Sequence, residues 1–217
     1  GNRAVAYGKD IDYSLIEVTN VGENSLAKIG DKIIIAKELV EDVMQEISVL
    51  SFNSSNTLKG SDFAGTVLAH PLNNNGYEHE VLLLEADFVT TDQGTGFVHI
   101  APGHGADDFE LGRQNNLPIP ETVSDKGILN SDLPLLGGLR VLKDNEIIAD
   151  IMSEHNALIG RGKLNHSYPH SWRSKAPLVF RTTPQWFISM TTNNLRDTSL
   201  KALSQTTFYP VSYTHLT

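Results

Sequence analysis

The sequence contains no cysteine. Disulfide scaffolds, thiol catalysis and Cys-ligated zinc are therefore excluded within its 217 residues. Long apolar runs are also missing: the longest aliphatic stretches, 33–36 and 81–84, are four residues each, against the roughly 20 needed to cross a bilayer. No charged-then-apolar leader with a small-residue cleavage site opens the chain, so neither secretion nor a membrane partner is expected. Positive charge is in deficit, with 17 Lys+Arg against 26 Asp+Glu and a net charge of −9. That balance argues against a generic nucleic-acid coat, which binds by displacing counterions with Lys and Arg. What remains is ordinary: 40% apolar and 20% charged residues describe a folded chain rather than a disordered one. The length suits one large domain or two small ones. Gly1 in place of a methionine points to a piece of something longer.

The charge deficit has a local exception. Residues 161–175 carry Arg161, Lys163, Arg173 and Lys175 with no Asp or Glu, and His166 and His170 add conditional charge. Tyr168 and Trp172 interleave with these cations and suit stacking on a base or sugar. A solvated strand-and-loop surface accounts for the same pattern.

Strands are expected at 13–18, 32–36, 63–70, 80–88 and 96–101, and again at 158–167, 178–182 and 186–190. The Asn-Asn-Asn-Gly turn at 73–76 makes 63–70 and 80–88 a candidate hairpin. Helical spacing marks 37–47, 106–115 and 143–156. The polar stretch 51–59 reads as a loop or a weak strand. Many short strands with a few helices between them predict an α+β fold, a barrel-like β core with peripheral helices.

One segment stands apart. Residues 94–112 read GTGFVHIAPGHGADDFELG, rich in glycine, with His99, His104, Asp107 and Asp108 inside ten positions. This is a strand running through a tight loop into a helix N-terminus, where unpaired N–H groups gather. Several chemistries fit. A metal site would use His99, His104 and Asp107, but their spacing is not that of a zincin helix. A phosphate loop would need a Gly-Lys-Ser/Thr ending that is lacking, and two adjacent carboxylates oppose phosphate. A pocket for a cation-bearing ligand would set a carboxylate against an ammonium group, with His99 projecting into the same space. A purely structural reading has Asp107 and Asp108 complementing the helix dipole and His99 satisfied in the core.

The segment resembles the signature of the editing domain of isoleucyl-tRNA synthetase. Asn2-Arg3-Ala4, the stretch 60–71 with its His-Pro ending, and 166–190 (HSYPHSWRSKAPLVFRTTPQWFISM) resemble that family too. The likeness extends over 1–209, implying an editing domain there, with 210–217 an atypical tail that does not continue the family pattern and reads as foreign to it. Valyl and leucyl relatives share parts of the pattern, but Ala-Pro-Gly-His-Gly and Ser-Tyr-Pro-His-Ser-Trp-Arg favour the isoleucyl branch.

The resemblance implies hydrolysis of valine mischarged on the isoleucine tRNA. Isoleucyl enzymes are themselves the type case of the limit that one methylene is worth only about 1–3 kcal/mol of discrimination. Asp108 and His99 are the implied catalytic pair: Asp108 binds the α-ammonium, and His99 lines the side-chain pocket and rejects isoleucine. Gly94, Thr95 and Gly96 are implied to shape the substrate loop, with Ala101 and Pro102 holding its turn. Arg161, Lys163, Arg173 and Lys175 are candidate tRNA contacts. Water is the implied nucleophile, with no metal and no cofactor. ATP and magnesium belong to the parent synthetase, whose His-Ile-Gly-His and Lys-Met-Ser-Lys-Ser signatures are not in this sequence. The implied partners are tRNA and the rest of the synthetase, in a bacterial cytoplasm or an organellar matrix. The family's threonine-rich strand would lie ahead of Gly1. An alternative is a catalytically impaired module that only holds the tRNA acceptor end.

Overall fold

The computed structural model describes residues 2–163 and 167–207. His166 and the 210–217 tail lie outside the described residues. The chain divides into two units, Gly1–Thr182 and Thr183–Thr217.

The first unit is built on two sheets. One has the order β5-β6-β1-β7, from strands β1 (Ala4–Tyr7), β5 (Val67–Ala69), β6 (Glu80–Glu85) and β7 (Phe97–Ile100). The other has the order β3-β2-β4, from β2 (Asp12–Val21), β3 (Lys32–Ala36) and β4 (Val49–Lys59). Among the described residues these are two separate sheets rather than one closed barrel.

β1 is buried on both faces, and its alternation assigns each face a partner. Val5 and Tyr7 pack into a core with Tyr13, Ile16, Phe63, Leu83 and Phe97. Ala4 and Ala6 pack with Ile100 and Leu111 in a second core. The small side chains on that second face let helix α2 (Ala106–Gln114) lie close to the sheet. β1 runs parallel to β6, with Val5 opposite Leu83, and antiparallel to β7, with Val5 opposite His99. The expected hairpin exists as β5 against β6, shortened because a 3-10 turn occupies Gly60–Phe63.

The helical stretch at 37–47 resolves into a 3-10 turn and helix α1 (Val40–Glu46), burying Leu39, Val40, Val43 and Met44. Helix α3 (Asn145–Glu154) falls where its spacing places it. β4 is a full strand although five of its eleven residues are Ser or Asn. It is an edge strand, held by its ladder to β2, and of its side chains only Val49 is buried. The strands expected at 158–167, 178–182 and 186–190 do not form among the described residues. A strand requires a partner for its backbone groups, and these segments join neither sheet; a lone bridge, His170 to Pro177, is the nearest approach.

In the second unit, helix α4 (Leu195–Ser204) follows a 3-10 turn at Thr192–Asn194. Trp186, Phe187 and Ile188 are exposed ahead of it. No helix among the described residues is long and apolar enough to cross a membrane.

Candidate functional site

His99 stands one residue from the end of β7, on the face it shares with Val5. Beyond Ile100 the chain turns through buried Ala101, Pro102 and Gly103 into α2. The helix sits tightly on this turn: a Cβ on Gly112 would come within 2.6 Å of Pro102 Cγ. Asp108, in the first turn of α2, folds back so that its Oδ2 accepts a hydrogen bond from the Ala101 N–H at 2.9 Å. Oδ1 has no hydrogen-bond partner among the described residues. Asp107 points elsewhere, into a cleft with Glu85, Asp87 and Glu110. The two adjacent carboxylates are thereby separated, and only Asp108 returns to the strand end that carries His99.

His99 lines a cavity of about 310 Å³, within the usual size range of small-ligand sites. Its polar side is Asn2, Arg3, His70, Tyr77, His79 and His99; its apolar side includes Leu72, Leu129, Leu133, Leu136 and Met152. The Asn2 N–H donates to His99 Nε2 at 2.8 Å, which leaves the proton of the neutral ring on Nδ1. His99 is open at the cavity mouth but crowded on its other sides. Burial pushes its pKa down, partly opposed by the nearby Asp108 carboxylate. It is therefore a neutral imidazole at pH 7.

His70 is buried more deeply, and its pKa is pushed down to about 4 by burial, then by His79 and Arg3. Its Nδ1 accepts from the Leu72 N–H at 3.0 Å. A histidine held neutral in the fold but free to protonate when unfolded stabilises the protein fully above its ordinary pKa of 6.5. That contribution is lost as the pH falls from 6.5 toward 4. We expect His70→Gln to flatten urea-unfolding stability across this window by up to about 3 kcal/mol relative to wild type. Parallel pH curves for the two proteins would contradict the assignment.

His104 is not in this cavity. Its Nδ1 donates to Phe180 O at 3.0 Å, and its Nε2 meets Thr122 Oγ1 at 3.2 Å. Gly94, Thr95 and Gly96 lie at the opposite end of β7 from His99 and are not among the cavity-lining residues. They fasten the start of the strand: the Ala36 N–H donates to Thr95 O at 2.9 Å, and Tyr13 Oη donates to Gly96 O at 2.8 Å. Among the cationic candidates, Arg161 pairs with Asp150 at 2.8 Å and Glu146 at 3.9 Å. Lys163, Arg173 and Lys175 are exposed, and Arg173 lies over the Trp172 ring at 4.8 Å. His70, Tyr77, His79 and the 129–136 loop were not singled out from sequence; the His-Pro at 70–71 was the one signal available.

A family model described as the leucyl-tRNA synthetase editing domain matches residues 24–134, a span that holds His70, Tyr77, His79, His99 and Asp108. The chain belongs to this editing-domain family. It is 45% identical over 209 residues to the isoleucine–tRNA ligase of Pelagibacter ubique, covering 96% of this chain and 23% of that one. It is also 45% identical over 221 residues to the isoleucine–tRNA ligase of Gluconobacter oxydans, with the same coverages. The chain thus spans about 23% of the length of these relatives. The solved structure of GlLeuRS-CP1 superposes with a TM-score of 0.55 at 12% identity, covering 75% of this chain and 80% of that one. At that identity the superposition supports the shared α+β fold alone.

Proposed function

We propose that this editing domain hydrolyses the ester of a tRNA carrying the wrong aliphatic amino acid, with valine on the isoleucine tRNA as its substrate. The observation that carries the reading is that Asp108 folds back to the Ala101 N–H just past the strand end that carries neutral His99; His99 itself lines a half-apolar cavity, and Asp108 lies outside its lining. Asp108 spends Oδ2 on the Ala101 N–H and keeps Oδ1 for the substrate's α-ammonium, a charge-assisted bond that a peptide nitrogen cannot make. His99, uncharged, forms a wall against the aliphatic side chain without the desolvation cost of an imidazolium. Water is the nucleophile, oriented by the ribose hydroxyl, and the released products are the free amino acid and the intact tRNA. The reaction needs no cofactor. Gly94, Thr95 and Gly96 act at one remove, by fixing where β7 begins.

The isoleucyl relatives favour valine over the threonine or norvaline that a valyl or leucyl branch would reject. The deciding experiment compares hydrolysis of valyl-, threonyl- and norvalyl-tRNA by the chain with a family threonine-rich strand joined ahead of it. Valine on the isoleucine acceptor is expected to be cleaved fastest; preference for either other substrate would reassign the branch. Lys163, Arg173 and Lys175, with the Trp172 ring, are the residues we assign to tRNA contact; Arg161 is already neutralised by its carboxylates. A salt titration of tRNA binding should show log affinity falling with log salt at a slope of about −2 to −3 for three phosphate contacts. A flat profile would remove this patch from the interface.

A further inference from the structure

Leu129, Leu133 and Leu136 of the apolar wall come from a loop region, residues 121–144, whose backbone bonds close on themselves. The Leu129 N–H donates to Leu139 O at 2.8 Å, the Gly138 N–H to Leu129 O at 2.9 Å, and the Gly137 N–H to Leu133 O at 3.0 Å. Among the described residues, two side-chain hydrogen bonds tie this region to the rest of its unit. One is His104 to Thr122. The other spans 57 positions: Tyr77 Oη donates to Pro134 O at 2.8 Å. The neighbouring Gly76 is pressed against the same proline, since a Cβ there would come within 2.3 Å of Pro134 Cγ. The Tyr77 ring meanwhile stacks on His70, with centroids 4.7 Å apart and planes 12° from parallel. One side chain therefore touches both walls, its ring on the imidazole side and its hydroxyl on the apolar side.

We propose that Tyr77 is a positioning residue for substrate selection: its hydroxyl latches residues 129–136 at a fixed distance from the imidazole wall. That distance sets how much aliphatic side chain the cavity accepts. The physical requirement is rigidity. A gap of only 0.5–1 Å forfeits about a quarter to a half of a contact's attraction, so a wall free to shift by that much cannot tell one methylene from none. This inference rests on the hydrolase reading above and adds a selectivity element to the same site.

The test is Tyr77→Phe, which keeps the ring on His70 and removes the hydroxyl. Hydrogen exchange of the amides of Leu129, Gly137 and Gly138 should accelerate about three- to tenfold, the scale of one hydrogen bond, while β1, β6 and β7 amides stay at wild-type rates. In parallel, the valine-over-isoleucine preference should fall by a similar factor. It is read in hydrolysis of the two aminoacyl-tRNAs and in binding of the valyl and isoleucyl amides of 3′-amino-3′-deoxyadenosine. KM for valyl-tRNA should rise with kcat near wild type. Unchanged loop exchange overturns the latch. Faster exchange with unchanged preference overturns its role in selection. If the chain with the threonine-rich strand joined ahead of it, otherwise wild type, neither hydrolyses the tRNAs nor distinguishes the amides, the hydrolase reading and the selective role fall together, while the exchange result still decides the latch.

Discussion

Asp108→Asn is expected to lower the hydrolysis of mischarged valyl-tRNA by about 30- to 4,000-fold, the effect of losing one partner of a partly buried charge pair worth about 2–5 kcal/mol. Asparagine is the informative replacement because its carbonyl can still accept the Ala101 N–H that Asp108 Oδ2 holds at 2.9 Å. The turn into α2 should therefore survive and unfolding stability should stay close to wild type. Asp107→Asn is the matched control, since that carboxylate faces the cleft of Glu85, Asp87 and Glu110; its rate should stay within about twofold, as for a surface change away from the site. Steady-state kinetics on both variants check this. Equal rates for Asp108→Asn and wild type would take Asp108 out of ammonium binding.

A large stability effect is expected at Gly96. Its φ is +79°, a conformation that costs a non-glycine residue about 1–2 kcal/mol. A Cβ there would also lie 2.4 Å from Ala36 Cβ, adding an overpacking cost of about 1–3 kcal/mol. Gly96→Ala should thus lose about 2–5 kcal/mol in urea unfolding. Gly94 separates the two causes. It has the same φ of +79° but nothing within 4 Å of its Cβ position, so Gly94→Ala should cost about 1–2 kcal/mol. Equal losses at the two positions would show that crowding against Ala36 contributes nothing.

Much of the first unit was legible in the sequence because its elements carry strong local patterns. The β-branched run at 32–36 became β3 with the same bounds. The Gly-rich stretch followed by Asp107 and Asp108 became a strand, a turn and α2. β4 was obscured because an edge strand draws its stability from backbone pairing, so its Ser and Asn side chains leave no apolar trace. At 178–182 and 186–190 apolar residues suggest strands, but no partner ladder forms among the described residues. Phe180 and Trp186 stand exposed instead.

The site was half legible. His99 and Asp108 lie close in sequence, and one turn returns Asp108 to the Ala101 N–H just past the strand end of His99, although only His99 lines the cavity. Gly94, Thr95 and Gly96 are as close in sequence, yet β7 carries them to the far end of about 13 Å of strand. His70, Tyr77 and His79 could not be joined to His99 by any spacing rule. They arrive from the loop between β5 and β6, and Leu129, Leu133 and Leu136 of the cavity's apolar wall come from a third segment.

The position of β1 between β6 and β7 also dictates an order of assembly. Ala4 has to find Leu82 on one side and Ile100 on the other, so the ends of long loops must meet before any ladder bond compensates for the lost chain entropy. β2 and β3 need only a short excursion to pair. Local pairings of that kind form sooner than distant ones, so during synthesis the β3-β2-β4 sheet can be complete while β1 still waits, unpaired, for strands not yet made. A nascent chain halted before residue 97 would have His70 and His79 in place but lack both His99 and the 129–136 wall of the cavity, so the capacity to discriminate substrates would arise only after β7 and that later segment are made.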